Sequence, residues 1–199
     1  MENIKAEKHP LEPFLPEKAR ILMLGSFPPK KEKWSMEFFY PNWINDMWRI
    51  VGFVFFGDRN HFVATDAEGK HVNKFNKEGI VEFCIGKGIA MFDTASEVRR
   101  LKDNASDKFL EVVRPTDIAA LMEKIPQCRA IVTTGQKATD VICSTFGCEE
   151  PKVGSSTAFL CGGRECRLWR MPSSSRAYPM ALERKAEYYR NMFLSEGLI

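Results

Sequence analysis

The sequence lacks any long apolar run. No stretch reaches the roughly 18 apolar residues that a membrane-spanning helix needs, so we expect no membrane partner. The N-terminal segment MENIKAEKHPLEPFLPEKAR is polar and interrupted by proline, and it contains no apolar region of the kind a secretory signal requires. A cytoplasmic location is therefore expected.

Metal-ligand and nucleotide-binding patterns are also missing. None of the 6 cysteines forms a C-x2-C pair, and the 3 histidines lie far along the chain from the four C-terminal cysteines, which disfavours a zinc or iron–sulfur site. Cysteines in VEFCIG and TDVICSTF are typical of buried thiols in a reducing compartment. Neither G-x-G-x-x-G nor G-x4-G-K-[ST] occurs, which argues against a small-molecule α/β enzyme that binds nucleotides. We expect no metal and no cofactor.

The length and charge of the chain set further bounds. Its 199 residues suit one domain over 1–199, with residues 1–19 as an irregular N-terminal arm. The formal net charge of +3 is too small to indicate a nucleic-acid partner. Basic residues do cluster within 30–33, 99–102 and 164–176. Such clusters fit a phosphate-contacting face, and solvated loops explain them equally well.

Short apolar runs alternate with helical patterns along the chain. The runs predict buried strands at 20–24, 89–92, 130–134 and 166–171. Helices are predicted to begin at Asn45-Asp46 and to span 75–84, 115–124, 136–146 and 180–194, with loops at 26–41, 57–72 and 93–113. This alternation predicts an α/β fold, a three-layer sandwich with a central, mainly parallel four-stranded sheet.

A Gly, Pro, Ser or charged loop follows each predicted strand. These loops are Gly25-Ser26-Phe27-Pro28, Asp93-Thr94, Gly135-Gln136-Lys137 and Pro172-Ser173-Ser174-Ser175. In open α/β sheets, ligands bind beyond the carboxyl ends of the strands. The four loops together are therefore the candidate functional site.

Several of these segments resemble the motifs of the uracil-DNA glycosylase superfamily. LMLGSFPP at 22–29 resembles its first motif, a strand followed by G-x-x-P, and RMPSSSRAYP at 170–179 resembles its last. YPNWINDMWRI at 40–50 and GIAMFD at 88–93 are similar to segments of the hypoxanthine-DNA glycosylase and mismatch-specific uracil-DNA glycosylase types, and NASD at 104–107 to a diverged form of the polar loop that follows. The resemblance implies a metal-independent enzyme that flips a deaminated base, uracil or hypoxanthine, out of DNA and hydrolyses its N-glycosidic bond.

Departures from the family pattern narrow the mechanism that the resemblance implies. Uracil-specific members carry Asp or Asn where this chain has Phe27, and family-1 enzymes carry His where it has Met171. Hypoxanthine-type members also lack the first-motif acid and use the Asn of the second motif, which Asn45 matches. Most relatives have proline where this chain has Trp43, which leaves the path of that loop open.

Cleavage of the bond leaves negative charge on the departing base, and the Gly25 turn offers donors for it. The backbone N–H groups of Ser26 and Phe27 are available, since the two prolines that follow have none. Asn45 would hold the attacking water or stabilise the sugar cation. A helix N-cap is the alternative role of Asn45, and both roles can coexist. Because an amide is a weak base, we expect a modest catalyst.

Binding of the extruded base needs an aromatic face. Tyr40 is the candidate by motif position and Phe39 is the second, and ordinary core packing is the alternative for Tyr40. Asp93 is expected near the base pocket, where a structural turn aspartate is an equal alternative.

Contacts to DNA are expected from the last motif and from lysines. A loop that binds phosphate before a helix resembles the run Ser173, Ser174 and Ser175. Arg176 would add positive charge or enter the duplex. Lys30 and Lys137 are further phosphate candidates. No lysine stands in a motif position suited to a covalent nucleophile, so we expect a monofunctional enzyme. We also expect a monomer. A catalytically weak or inactive DNA-binding protein of the same fold is the alternative.

Overall fold

A five-stranded sheet forms the centre of the protein in a computed structural model that describes residues 5–101 and 109–199. Its strands are β2 (Ile21–Gly25), β5 (Ile89–Asp93), β8 (Ala130–Thr134), β9 (Ser155–Cys161) and β10 (Arg164–Met171), in the order β5-β2-β8-β10-β9. β5, β2, β8 and β10 are parallel, and β9 pairs antiparallel with β10. The α/β fold and the four predicted parallel strands are confirmed. The NASD run at 104–107 lies outside the described residues.

The fifth strand, β9, was not predicted. It lies at the edge of the sheet, and in its sequence SSTAFLC only Phe159 and Cys161 are buried. The sequence of a half-exposed edge strand contains no continuous apolar run. By contrast every residue of β2 and β5 is buried, which requires cover on both faces of the sheet.

Five helices flank the sheet: α1 (Met47–Phe56), α2 (Lys77–Lys87), α3 (Ile118–Lys124), α4 (Gln136–Phe146) and α5 (Leu182–Ser195). α1 packs against α5, while α2, α4 and α5 contact β5, β8 and β10. α2 begins later than predicted because the Asn76 side chain caps it by accepting from the Gly79 N–H at 3.0 Å. Over the described ranges, no helix combines the length and apolar character needed to cross a membrane.

Two small sheets occupy regions that were predicted as loops. One consists of β1 (Glu7–Lys8), β6 (Ala95–Arg100) and β7 (Leu110–Pro115), and the other of β3 (Val63–Thr65) and β4 (His71–Phe75). The loop predictions for 57–72 and 93–113 are wrong in these parts. The β6–β7 hairpin carries cross-strand charge pairs and buries only a few apolar residues, so its sequence has no apolar period.

Gly88, between α2 and β5, gives a stability prediction. Its φ is 69°, and a Cβ there would lie 2.6 Å from the Lys18 carbonyl oxygen. Gly88→Ala should therefore lower the free energy of unfolding by at least ~1–2 kcal/mol in urea denaturation. The control is Gly86→Ala in α2, where a Cβ meets nothing within 4 Å. It should be neutral or stabilising by about 0.5–1 kcal/mol, and equal losses for the two variants would contradict the argument.

Candidate active site

The carboxyl ends of the parallel strands bring distant segments together at one edge of the sheet. The strand register places Gly25 opposite Asp93, and Met171 opposite Thr134. The loop before α1 reaches the same edge, because Asn45 forms a bridge with Ser175. In addition, the N–H of Asp46 donates to the carbonyl of Ser174 at 2.9 Å. The first, second and last of the motif-like segments therefore converge.

Gly25, Asp93 and Tyr40 meet at the end of β2. A Cβ on Gly25 would lie 2.5 Å from Asp93 Oδ1 and 3.9 Å from Tyr40 Cε1, so the missing side chain is what leaves room for the carboxylate. Tyr40 is half-buried with a positive φ of 51°, and its hydroxyl bonds Thr134 Oγ1 at 3.0 Å. Burial raises the pKa of the Tyr40 hydroxyl, which keeps it neutral.

Phe39 does not share this position. It is 4% exposed, and its ring packs edge-on against Phe38 and Phe92. Of the two aromatic candidates, Tyr40 is the one beside Gly25. Phe39 packs in the core, which was the alternative considered for Tyr40.

Asn45 is bonded to the start of α1. Its Oδ1 accepts from the Met47 N–H at 2.9 Å, so the side chain caps the helix although Asp46 occupies the cap position itself. The residue is half-buried. Within the described parts of the chain, its Nδ2 makes no hydrogen bond. One lone pair of Oδ1 and the amide N–H groups are therefore available to a ligand.

Arg49 fixes the path of the loop that contains Trp43. Its guanidinium carbon lies 4.1 Å from the Trp43 ring centroid, and its Nη1 donates to the carbonyls of Trp43 at 2.9 Å and Asn45 at 3.2 Å. Burial lowers the pKa of Arg49, and nearby Arg176 adds to this while Asp46 opposes it. A stacked Trp–Arg pair thus orders this loop. The sequence carried no signal for this role of Arg49.

The serine loop is held by hydrogen bonds of its own side chains. Ser173 Oγ accepts from the Ser175 N–H, and Ser175 Oγ from the Ala177 N–H, each at 3.2 Å, while Ser174 is 3% exposed. α5 begins only at Leu182, so the serines do not form its first turn. The segment between the serines and α5 is not helical. The phosphate contact expected of the three serines stays a prediction.

A buried charge cluster ties the serine loop to the Asn45 loop. Arg176 Nε donates to Asp46 Oδ1 at 2.8 Å. Lys185, almost fully buried on α5, donates to the Ser175 carbonyl at 2.8 Å, and its Nζ lies 3.7 Å from Asp46 Oδ2. Desolvation lowers the pKa of Lys185, and the Asp46 carboxylate opposes this. Asp46 and Lys185 were not among the predicted site residues.

The lysines predicted to contact phosphate lie outside this cluster. Lys30 is exposed beside the Gly25 turn. Lys137, at the start of α4, donates to the carbonyl of Leu110 on β7. The hydrogen bond thus attaches Lys137 to the β6–β7 hairpin.

Two residues that sequence reasoning missed lie behind the Gly25 turn. His9 Nε2 is 2.9 Å from Asp93 Oδ2. Arg100 on β6 donates through Nη2 to the Pro28 carbonyl at 2.7 Å and through Nε to Glu7 at 3.0 Å. Both contacts involve the N-terminal arm, which has no recognisable motif. In residues 5–101 and 109–199, no three His, Cys, Asp or Glu side chains lie close enough together to hold a metal ion.

Comparison with known proteins gives matches among solved structures. No protein-family model matches the sequence, and no curated protein matches it. Among solved structures, the chain is similar to a protein from Methanosarcina acetivorans, determined by solution NMR and named "putative Uracil DNA glycosylase". The TM-score is 0.61 at 22% identity, and the match covers 97% of this chain and 99% of that one. The two proteins share their fold over nearly their whole length.

The buried Asp46 carboxylate gives a second stability prediction. Asp46→Asn keeps the shape but removes the charge that faces Arg176 and Lys185, so it should lower the free energy of unfolding by about 3 kcal/mol in urea denaturation. Glu187→Gln, which breaks an exposed pair with Arg184, is the control and should cost no more than about 0.5 kcal/mol.

A double variant tests the physical cause of this loss. Adding Lys185→Met to Asp46→Asn removes the buried ammonium left without its partner, and should recover part of the stability. If the losses from Asp46→Asn and Glu187→Gln are equal, the cluster does not hold the two loops together.

Proposed function

We propose that this protein is a monofunctional DNA glycosylase of the uracil-DNA glycosylase superfamily, which excises uracil or hypoxanthine and leaves an abasic site. The observation that carries the proposal is the meeting of Gly25, Tyr40 and Asp93 at the edge of the sheet that the Asn45–Ser175 bridge also reaches. The ordered sequence motifs support it. So does the shared fold with the Methanosarcina acetivorans protein, whose name refers to uracil in DNA.

Asp93 suits the chemistry of a deaminated base. Deamination turns a ring nitrogen that accepts a hydrogen bond into an N–H that donates one, as in uracil made from cytosine and hypoxanthine made from adenine. A carboxylate oxygen only accepts, so Asp93 Oδ1 beside Gly25 would bind the new N–H and repel the lone pair of the parent base. Tyr40 would stack on the base, a contact typically worth about 1–3 kcal/mol.

The bond-breaking step would rely on leaving-group stabilisation. The N–H groups of Ser26 and Phe27 would receive the negative charge that develops on the base, and one such donor is typically worth a factor of about 10²–10³ in rate. Asn45 would position the attacking water through Oδ1, which its bond to the Met47 N–H holds in place. An amide takes up a proton poorly, so the expected catalyst is slow.

Contacts to the DNA backbone would come from the same edge of the sheet. We propose that Lys30, Lys137, Arg176 and serines 173–175 lie along the phosphates, which would give binding that weakens with salt. In this arrangement Arg176 would have to exchange its bond with Asp46 for one with DNA. We further propose that the protein acts as a monomer in the cytoplasm.

The direct test is a lesion panel. Labelled single- and double-stranded oligonucleotides that each hold one deoxyuridine or deoxyinosine are incubated with the protein, then treated with alkali. We expect strand cleavage at the lesion only after alkali, because a monofunctional enzyme leaves the sugar–phosphate chain intact. The absence of cleavage on every substrate would overturn the proposal. Salt-sensitive binding to abasic DNA without turnover would then favour an inactive DNA-binding protein.

Asn45→Ala separates catalysis from capping. We expect the single-turnover excision rate to fall by at least about tenfold, because the water loses its positioning group. The matched control is Asn76→Ala, which removes another capping Asn, at α2. Both variants should lose about 1 kcal/mol of stability, but only the first should lose rate. An unchanged rate in Asn45→Ala would remove Asn45 from the mechanism.

A further inference from the structure

We propose that His9, on the N-terminal arm, is a positioning residue for base recognition that acts through Asp93. The inference rests on the proposed function, since Asp93 is taken as the acceptor for the base. His9 Nε2 lies 2.9 Å from Asp93 Oδ2, and the two side chains are only 4% and 10% exposed. A carboxylate cannot donate, so Nε2 carries the proton in this bond.

The imidazole of His9 has partners at both ring nitrogens and aromatic rings packed against it. Its Nδ1 lies 2.8 Å from the Leu11 carbonyl oxygen and 3.1 Å from the Leu11 nitrogen. The ring packs against Phe92 with centroids 4.4 Å apart and meets Phe27 edge-on at 5.2 Å. Both ring nitrogens are therefore in contact with fixed partners, and the ring has one orientation.

The bond to His9 gives the two Asp93 carboxylate oxygens different contacts. Oδ2 receives the imidazole N–H, while Oδ1 is the atom that a Cβ on Gly25 would approach to 2.5 Å. Rotation of the carboxylate would break the bond to His9 and leave a buried hydrogen-bond donor without a partner, which is unfavourable. His9 thus keeps one oxygen directed at the Gly25 turn, the position where the N–H of a flipped base would be read.

The arm that carries His9 is itself attached to the turn. Glu7 bonds Arg100 Nε at 3.0 Å, and Arg100 is 9% exposed. Arg100 Nη2 donates to the Pro28 carbonyl at 2.7 Å, and its guanidinium carbon lies 5.5 Å from the Phe27 ring centroid. The arm therefore contacts both Asp93 and the turn that ends β2, which makes it a built part of the pocket.

A double-mutant cycle between His9 and Asp93 tests this role. The variants are His9→Phe, which keeps an aromatic ring but has no donor, Asp93→Asn, and the pair. The readout is the single-turnover rate divided by the half-saturating protein concentration, on the deoxyuridine or deoxyinosine duplex that the wild type cuts faster. We expect His9→Phe to lower it at least about tenfold in the wild type and less than about threefold in Asp93→Asn, because His9 acts through the carboxylate.

A donor-retaining variant separates positioning from packing. His9→Gln has a side-chain amide N–H that can donate to Asp93, and it should recover most of the activity lost in His9→Phe. The unfolding midpoint is measured for each variant, and His9→Met replaces His9→Phe if the latter does not fold. Equal losses in both Asp93 backgrounds would mean that His9 only packs, and would overturn the inference while leaving the proposed function standing. A wild type inactive on every lesion would overturn both.

Discussion

The pairing of β2 between β5 and β8 is the constraint on which the proposed site depends. Parallel register sets Gly25 beside Asp93, and the absence of a side chain on Gly25 opens the space that the Asp93 carboxylate occupies. The same strand ends place Thr134 where it bonds the Tyr40 hydroxyl. Because β2, β5 and β8 are buried throughout most of their length, these positions are fixed by the core rather than by the loops.

Hydrogen bonds and ion pairs of charged side chains hold the segments that lie outside the sheet. Arg49 orders the loop before α1 by bonding its carbonyls, and Asp46 joins that loop to Arg176 and Lys185. On the opposite side, His9 and Arg100 fasten the N-terminal arm to Asp93 and to the Gly25 turn. Except for the exposed Arg176, each of these groups is costly to bury without a partner, so the loops are held in one arrangement.

The sequence predicted the parts of this arrangement that follow from apolar runs and strand-end motifs. The four parallel strands and the placement of Gly25 beside Asp93 at their carboxyl ends fall in that class. The hairpin β6–β7 was missed because its half-exposed strands carry charge instead of an apolar period. The edge strand β9 was missed because it begins with Ser and Thr and only Phe159 and Cys161 are buried. The role of His9 had no local signal, since its partner Asp93 is distant in the chain and the contact exists only once β1 pairs with β6.

The central claim is that the ends of β2 and β5 form a pocket for an extrahelical base. The most direct measurement is the crystal structure of the protein with a duplex that holds one 2′-fluoro-arabino deoxyuridine, whose glycosidic bond resists cleavage. We expect the uracil out of the helix, stacked on Tyr40, with its N3–H bonded to Asp93 Oδ1. A uracil still stacked in the duplex, or bound elsewhere with Gly25 and Asp93 untouched, would contradict it.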